Sequence, residues 1–419
     1  MIQNKYDIII IGAGISGCIC ALELDEKEKV LLIDAGKLTN KRKCSWEKNN
    51  KCKQCTPCNL ITGIGGCIKP GDSAKISFPP SGKRLFSKNN ECDKIAELIN
   101  TKYFNNSNPQ STLESFKQFN LKKYPISIID SNSTRIILNN LEDKIIHKKN
   151  IIIKKQEKAI EINISDIFTI KTNKGKYIAP RVILATGRYG KNWLKNFIKK
   201  NNISYNKSKC LIGVRFQLPY ELLINPGKIH PDFKYTRTFS NNDKVKTFCF
   251  CGGESGGIIK PLFYDGIQLL DGHINTVNKS QKGNFALLHT VTEEEVENII
   301  VKYKEENNGR MISENYSDFN SINSQLSKIL PDKIKNNILT VYNELFNAFN
   351  ENEKYSINET EVFGLEVENN WYEINTNNNF EVTTIPGLYV IGDAVAIAQG
   401  LMQAAITGYI TAHAISDNN

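Results

Sequence analysis

This chain of 419 residues shows no plausible cleavage region, no concentrated basic patch, no C-x2-C doublet outside the overlapping run Cys52-x2-Cys55-x2-Cys58, and no second glycine-rich nucleotide fingerprint. Each absence narrows the reading. Residues 8–24 are largely apolar, yet they run straight into Asp25, Glu26 and Glu28 with no cleavage region. A secretory signal is therefore not expected, and a soluble, cytoplasmic protein is. The net charge of +10 is modest for the length, and Lys, Asn and Ile recur throughout. The runs Lys41-Arg42-Lys43 and Lys199-Lys200 read as solvated surface, so a nucleic-acid partner is not expected. Residues 394–412 carry no charge and are long enough to span a bilayer. They contain Gln399, Gln403, Thr407 and Thr411 and follow a Gly-Asp turn, which reads as a buried helix with no membrane association. The eleven cysteines, an odd number, point to reduced or metal-bound thiols over a disulfide framework.

What the chain does contain is organised around its first forty residues. Ile8 to Ile11 is a β-branched run suited to a strand buried on both faces. Gly12, Gly14 and Gly17 follow at G-x-G-x-x-G spacing. Gly12 suits the tight turn, Gly14 a close approach to a pyrophosphate, and Gly17 the packing of the next helix on the strand. Ile15 and Ser16 open that helix, whose unpaired N–H groups favour an anion. Residues 30–33 read as a second strand ending at Asp34, where a carboxylate can receive ribose hydroxyls. Strand, glycines, helix, strand and acid in this order make a dinucleotide-binding unit.

Residues 37–85 form a long loop that glycines and prolines keep irregular. It carries Cys44, Cys52, Cys55 and Cys58, which either hold a metal or iron–sulfur cluster or remain as reduced thiols. It continues through Gly63, Gly65, Gly66 and Cys67. Residues 91–120 give no clear pattern. Asp130 reads as a helix cap, and 159–164 and 168–172 as an antiparallel ribbon. Residues 181–187 are a strand closing on Ala185-Thr186-Gly187, small residues beside which a dinucleotide can lie.

Length suits two domains. A discontinuous nucleotide domain is expected from residues 1–200 and 361–419, with an inserted α+β substrate domain over 201–360. The second region has strands ending at Pro219 and Cys251, and the glycines 252, 253, 256 and 257 precede Pro261 rather than a helix. Asp271-Gly272-His273 reads as a turn after a short strand. Residues 293–306 and 331–350 read as helices. At the C-terminus, Gly392-Asp393 stops a strand, and Gly400, Ala404, Gly408 and Ala412 place small residues on one face of a helix opening near Leu401.

The chain resembles the FAD-dependent oxidoreductases of the glutathione-reductase-like superfamily. The resemblance is carried by Gly12, Gly14, Gly17 and Asp34, by Ala185-Thr186-Gly187, and by Gly387-Leu388-Tyr389-Val390-Ile391-Gly392-Asp393. More narrowly it resembles bacterial and archaeal FAD-dependent dehydrogenases, through Cys55-x-x-Cys58-Asn59, Gly63-Ile64-Gly65-Gly66, Gly213-Val214-Arg215, residues 247–253 and Gly400-Leu401-Met402-Gln403-Ala404-Ala405. It departs from them at residues 71–75 and 394–396. The resemblance implies an α/β fold, with a Rossmann-like parallel sheet and antiparallel ribbon. It implies FAD on Gly12, Gly14, Ile15, Ser16, Gly17, Asp34, Gly65, Gly66, Ala185, Thr186, Gly187, Gly392, Asp393, Gly400 and Leu401.

Flavin chemistry on a small-molecule substrate is then expected, with Arg215, His273 and Lys75 as substrate-side candidates and Cys249, Cys251 and Lys260 beside them. Arg215 reads as a clamp for an anionic substrate or as a structural ion pair. NAD(P)H as a transient reductant and a redox partner protein are open electron sources. Two alternatives stand beside this reading: a flavin-dependent RNA-modifying enzyme, and an electron-relay or metal-binding flavoprotein using the cysteine loop.

Overall fold

The computed structural model of the chain describes residues 4–274, 280–368 and 370–417. Its centre is a five-stranded parallel sheet. Ile8–Ile11 lies between Val30–Asp34 on one side and Arg181–Leu184 on the other, and Ile151–Lys155 and Leu388–Val390 form the edges. All four residues of Ile8–Ile11 are buried, as an apolar run covered on both faces requires. The last strand comes from near the C-terminus and pairs with Arg181–Leu184, so the first and last parts of the chain share this sheet with one strand between them. The antiparallel ribbon forms as read, Ala159–Asn163 against Phe168–Thr172. Lys176–Ala179 extends it and pairs in parallel with Asn4–Lys5.

Helices cover the central sheet. Ser131–His147 starts where the Asp130 side chain accepts the N–H groups of Asn132 and Ser133. Cys92–Tyr103, in a stretch without a clear sequence pattern, buries Ile95, Ala96, Ile99 and Tyr103 on one face. The C-terminal helix Leu401–Asp417 lies along the first helix, Ile15–Glu23. A Cβ at Gly408 would fall 2.3 Å from the Ser16 carbonyl oxygen, so the small-residue stripe sets this close approach. Among the described residues no helix is long and apolar enough to cross a membrane.

A second apolar core gathers around a six-stranded antiparallel sheet. In order its strands are Thr236–Thr238, Lys244–Cys251, Lys282–Val291, Cys210–Pro219, Glu361–Glu368 and Ile312–Asn315. The helix Asp332–Phe349 buries Ile334, Ile338, Val341, Leu345 and Phe349. Residues from 58–61 and 116–121 also join this core. Helix Glu293–Asn307 starts with a capping box between Thr292 and Glu295. Asp271-Gly272-His273 lies within the strand Ile267–Ile274, which pairs residue by residue with Gly257–Tyr264. The turn reading fails because this hairpin continues its ladder through Gly272.

Candidate functional site

A cavity of about 440 Å³ runs between the ends of the parallel sheet and the hairpin. Gly12, Gly14, Ile15 and Ser16 line one end. The three fingerprint glycines have separate physical reasons. A Cβ on Gly12 would lie 2.1 Å from the Ala185 carbonyl oxygen, and one on Gly17 2.0 Å from the Gly12 carbonyl oxygen. Those two glycines are required by packing. A Cβ on Gly14 would meet only the Gly66 Cα, at 3.9 Å, so the space beside Gly14 is left for something other than protein. Gly14 caps Ile15–Glu23 without any side-chain hydrogen bond to the helix start.

Asp34 closes this end. Its Oδ2 accepts the Ala13 N–H at 2.7 Å, and its Oδ1 accepts those of Gly36 and Gly63 at 2.6 and 2.8 Å. A carboxylate offers about four acceptor sites. Asp34 therefore spends most of its capacity on backbone and keeps about one site for a ribose hydroxyl. Gly65 donates to the Ala13 carbonyl, bridging the glycine loop to the fingerprint. Gly65 and Gly66 both line the cavity.

The middle of the cavity is walled by Ala185, Thr186, Gly187, Asp393, Gly400 and Leu401. Thr186 Oγ1 is buried with no partner, and a Cβ on Gly187 would meet nothing within 4 Å. Gly392 is not part of the lining; a Cβ there would sit 2.5 Å from Ser16 Oγ, so this glycine serves packing. Burial pushes the Asp393 carboxyl up, and Arg188 partly opposes it. An open space at Gly14, an uncapped helix start and an orphaned hydroxyl together fit a dinucleotide lying along the sheet edge.

The far wall carries charge. Asp72, Lys75, Cys67, Arg188, Cys249 and His273 contribute, with Asp271 and Glu368. Asp271 and His273 are two apart on one strand and so share a face; Gly272 faces the other way, where a Cβ would collide with the Arg215 guanidinium at 2.2 Å. His273 Nδ1 lies 3.6 Å from Asp72 Oδ2, and its Nε2 has no partner. Burial, helped by Lys260, holds the imidazole below its ordinary pKa, with Asp72 and Asp271 opposing. Burial would raise Asp72, but His273, Lys260 and Lys69 outweigh it and keep the carboxylate ionised. Lys260 Nζ donates to Asp72 at 2.7 Å and Glu47 at 2.9 Å.

Arg188 follows Ala185-Thr186-Gly187 directly and reaches Glu368 at 2.7 Å and Asp271 at 3.6 Å. It thus ties the end of the parallel sheet to strands of the second core. Burial raises the Glu368 carboxyl to about 7, with Arg188 opposing and Glu366, Asp271 and Asp393 adding to the rise. Sequence reasoning missed Arg188, Asp271, Glu368 and Cys67. The position of Arg188 next to the small-residue strand end was the one signal available.

Three expectations meet a different environment. Arg215 is 0% exposed. It pairs with both oxygens of Glu366 at 2.8 Å and donates to Asn284 Oδ1 and the Cys249 carbonyl. It is the structural ion pair, and its guanidinium stands behind Gly272 instead of clamping a substrate. Lys75 lines the cavity, but its ammonium donates to Asp232 at 3.2 Å and to the Phe250 carbonyl. Burial would lower it, but Asp232 with Cys251 and Cys249 outweighs this, so Lys75 stays charged and is no proton acceptor. Among the described residues no group of three or more His, Cys, Asp or Glu is placed to hold a metal ion, so Cys44, Cys52, Cys55 and Cys58 do not converge as ligands. All eleven cysteines are free, Cys249 and Cys251 included.

No protein-family model matches the chain, and no curated protein matches it. Several solved structures are similar. PqsL, a probable FAD-dependent monooxygenase from Pseudomonas aeruginosa, has 12% identity and a TM-score of 0.40, over 99% of this chain and 85% of its own. CtdE in complex with FAD has 13% identity and a TM-score of 0.41, over 99% and 86%. NikD, an unusual amino acid oxidase, has 10% identity and a TM-score of 0.44, over 100% and 95%. Likenesses this distant carry no argument about this chain.

Proposed function

We propose that the chain is an FAD-dependent oxidoreductase acting on a small molecule. The observation that carries this reading is a single cavity joining the glycine cradle at Gly12–Gly17 to the charged wall of Asp72, Asp271, His273 and Glu368. Gly14, Ile15 and Ser16 would face the diphosphate, Asp34 the ribose, Asp393 the polyol chain, and the Leu401 helix start the ring. Bound FAD would supply hydride transfer, and the protein position and electrostatics.

In this reading the substrate lies against Asp271 and His273. With a proton on Nδ1 directed at Asp72, His273 presents Nε2 as an acceptor for a substrate proton. Lys260 and Lys69 keep Asp72 ionised, 3.6 Å from the ring, where its charge favours a proton on Nδ1. Arg215 holds the strand end at Cys249 and the back of Gly272. The nucleotide-binding unit takes residues 1–200 and the C-terminal stretch from 370 on, and the substrate unit runs from 201 through the strand Glu361–Glu368, which lies inside its six-stranded sheet eight residues beyond the boundary the sequence suggests; segments 58–61 and 116–121 join that unit's core.

The test is spectroscopic. Purified protein titrated with FAD is expected to quench flavin fluorescence and to retain a yellow chromophore through gel filtration. A colourless protein that leaves flavin fluorescence unchanged removes the reading.

A further inference from the structure

Arg42 belongs to the run Lys41-Arg42-Lys43, which reads from sequence as solvated surface. The structure buries it to 3% exposure. Its guanidinium has five N–H groups, and each finds a backbone carbonyl. Nε donates to Asn59 at 3.2 Å. Nη1 donates to Ile64 at 2.5 Å and Ile68 at 2.8 Å, and Nη2 to Leu60 at 3.3 Å and Gly66 at 2.5 Å. None of these partners is a carboxylate. Burial lowers its pKa, and the largest opposing charge is the more distant Asp34. A buried charge is expensive unless fully hydrogen-bonded, and this one is satisfied entirely by the carbonyls of one loop.

The loop it gathers has a specific position. Gly63 donates to Asp34, Gly65 donates to Ala13, and residues 65–69 line the cavity. Residues 59–68 therefore connect the two ends of the glycine fingerprint while wrapping around one cation. Left-handed φ angles at Gly63, Gly65 and Gly66, of 93°, 84° and 59°, let successive carbonyls turn inward. Local turn bonds (Ile61 to Cys58, Gly66 to Gly63, Ile68 to Gly65) shape it residue by residue, whereas the guanidinium gathers carbonyls from both its ends, Asn59 and Ile68, at one point.

We infer that Arg42 is a positioning residue for the dinucleotide site: its guanidinium is the internal template on which residues 59–68 fold into one wall of the cavity. The part concerning FAD rests on the proposed function; the part concerning the loop stands without it. Lysine keeps the charge but offers three donors from a single point, so it cannot serve five converging carbonyls.

The test compares wild type, Arg42→Lys and Arg42→Ala by hydrogen exchange of the ligand-free protein and by FAD titration. Arg42→Lys is expected to speed exchange of the amides in residues 59–68 at least tenfold while leaving the central parallel strands protected. Its FAD affinity should fall at least tenfold. Arg42→Ala should regain loop protection when millimolar ethylguanidinium is added, because the free cation refills the site. Wild-type exchange in the lysine variant, together with FAD affinity within twofold of wild type, overturns the inference. A variant that folds only with ethylguanidinium present supports it, and one that neither folds nor is rescued counts against it. If wild type itself does not take up FAD, the proposed function fails, and the exchange measurement still decides the role of Arg42.

Discussion

Asp34, Glu368 and Arg42 show how far a residue's surroundings redirect what its type suggests. Asp34 sits where the fingerprint requires an acid, yet three backbone N–H groups occupy most of its carboxylate. It is a clamp for the glycine loop, with about one acceptor site left for the ribose of the proposed function. Arg42 lies in a basic run that sequence alone assigns to solvent, because charge runs are read by residue type and burial depends on where the chain turns. Glu368 carries no sequence signal, since Arg188 and Asp271 reach it from distant segments. Its carboxyl, raised to about 7 from an ordinary 4.5, has a consequence for stability. Between those values the folded state keeps a proton that the unfolded state has released, so stability must fall as pH rises through that window. At about 1.4 kcal/mol per pKa unit the effect is on the order of 3 kcal/mol. Glu368→Gln should flatten the decline between pH 5 and 7 in urea-unfolding experiments. An unchanged slope would place the titration elsewhere.

At the scale of elements, the first helix and the C-terminal helix form the support of the glycine loop at Gly12–Gly17. Gly408 permits their contact, and the strand end at Gly392 packs on Ser16 from the same side. Gly408→Ala is expected to force the helices apart and lower stability by about 1–3 kcal/mol, the usual cost of overpacking, with a matching fall in thermal midpoint and weaker FAD retention. A variant as stable as wild type would show that the stripe is not a tight seam. The stripe, the first strand and the helix Ser131–His147 with its Asp130 cap were legible because each rests on local periodicity or a local hydrogen bond. Cys92–Tyr103 was not, because its apolar residues are diluted by Asp93, Lys94 and Glu97. Asp271-Gly272-His273 has turn composition, but the partner strand Gly257–Tyr264 outweighs that preference, and Gly272 is required by the guanidinium behind it.

For the whole molecule, the return of the C-terminal strand to the first sheet followed from two short motifs hundreds of residues apart. The chemistry-bearing wall did not, because it is assembled from 72, 188, 271–273 and 368, segments joined only by the fold. Two apolar cores flank the cavity, one built on the parallel sheet and one on the antiparallel sheet, and Arg188 crosses between them. The central claim is that the space beside Gly14 holds the diphosphate of FAD. Calorimetric titration of FAD into wild type and Gly14→Val tests it most directly. The account predicts one FAD per wild-type chain, and binding at least a hundredfold weaker in Gly14→Val with the fold intact by circular dichroism, since the added side chain enters ligand space and not protein. Equal FAD binding by the two proteins would contradict it.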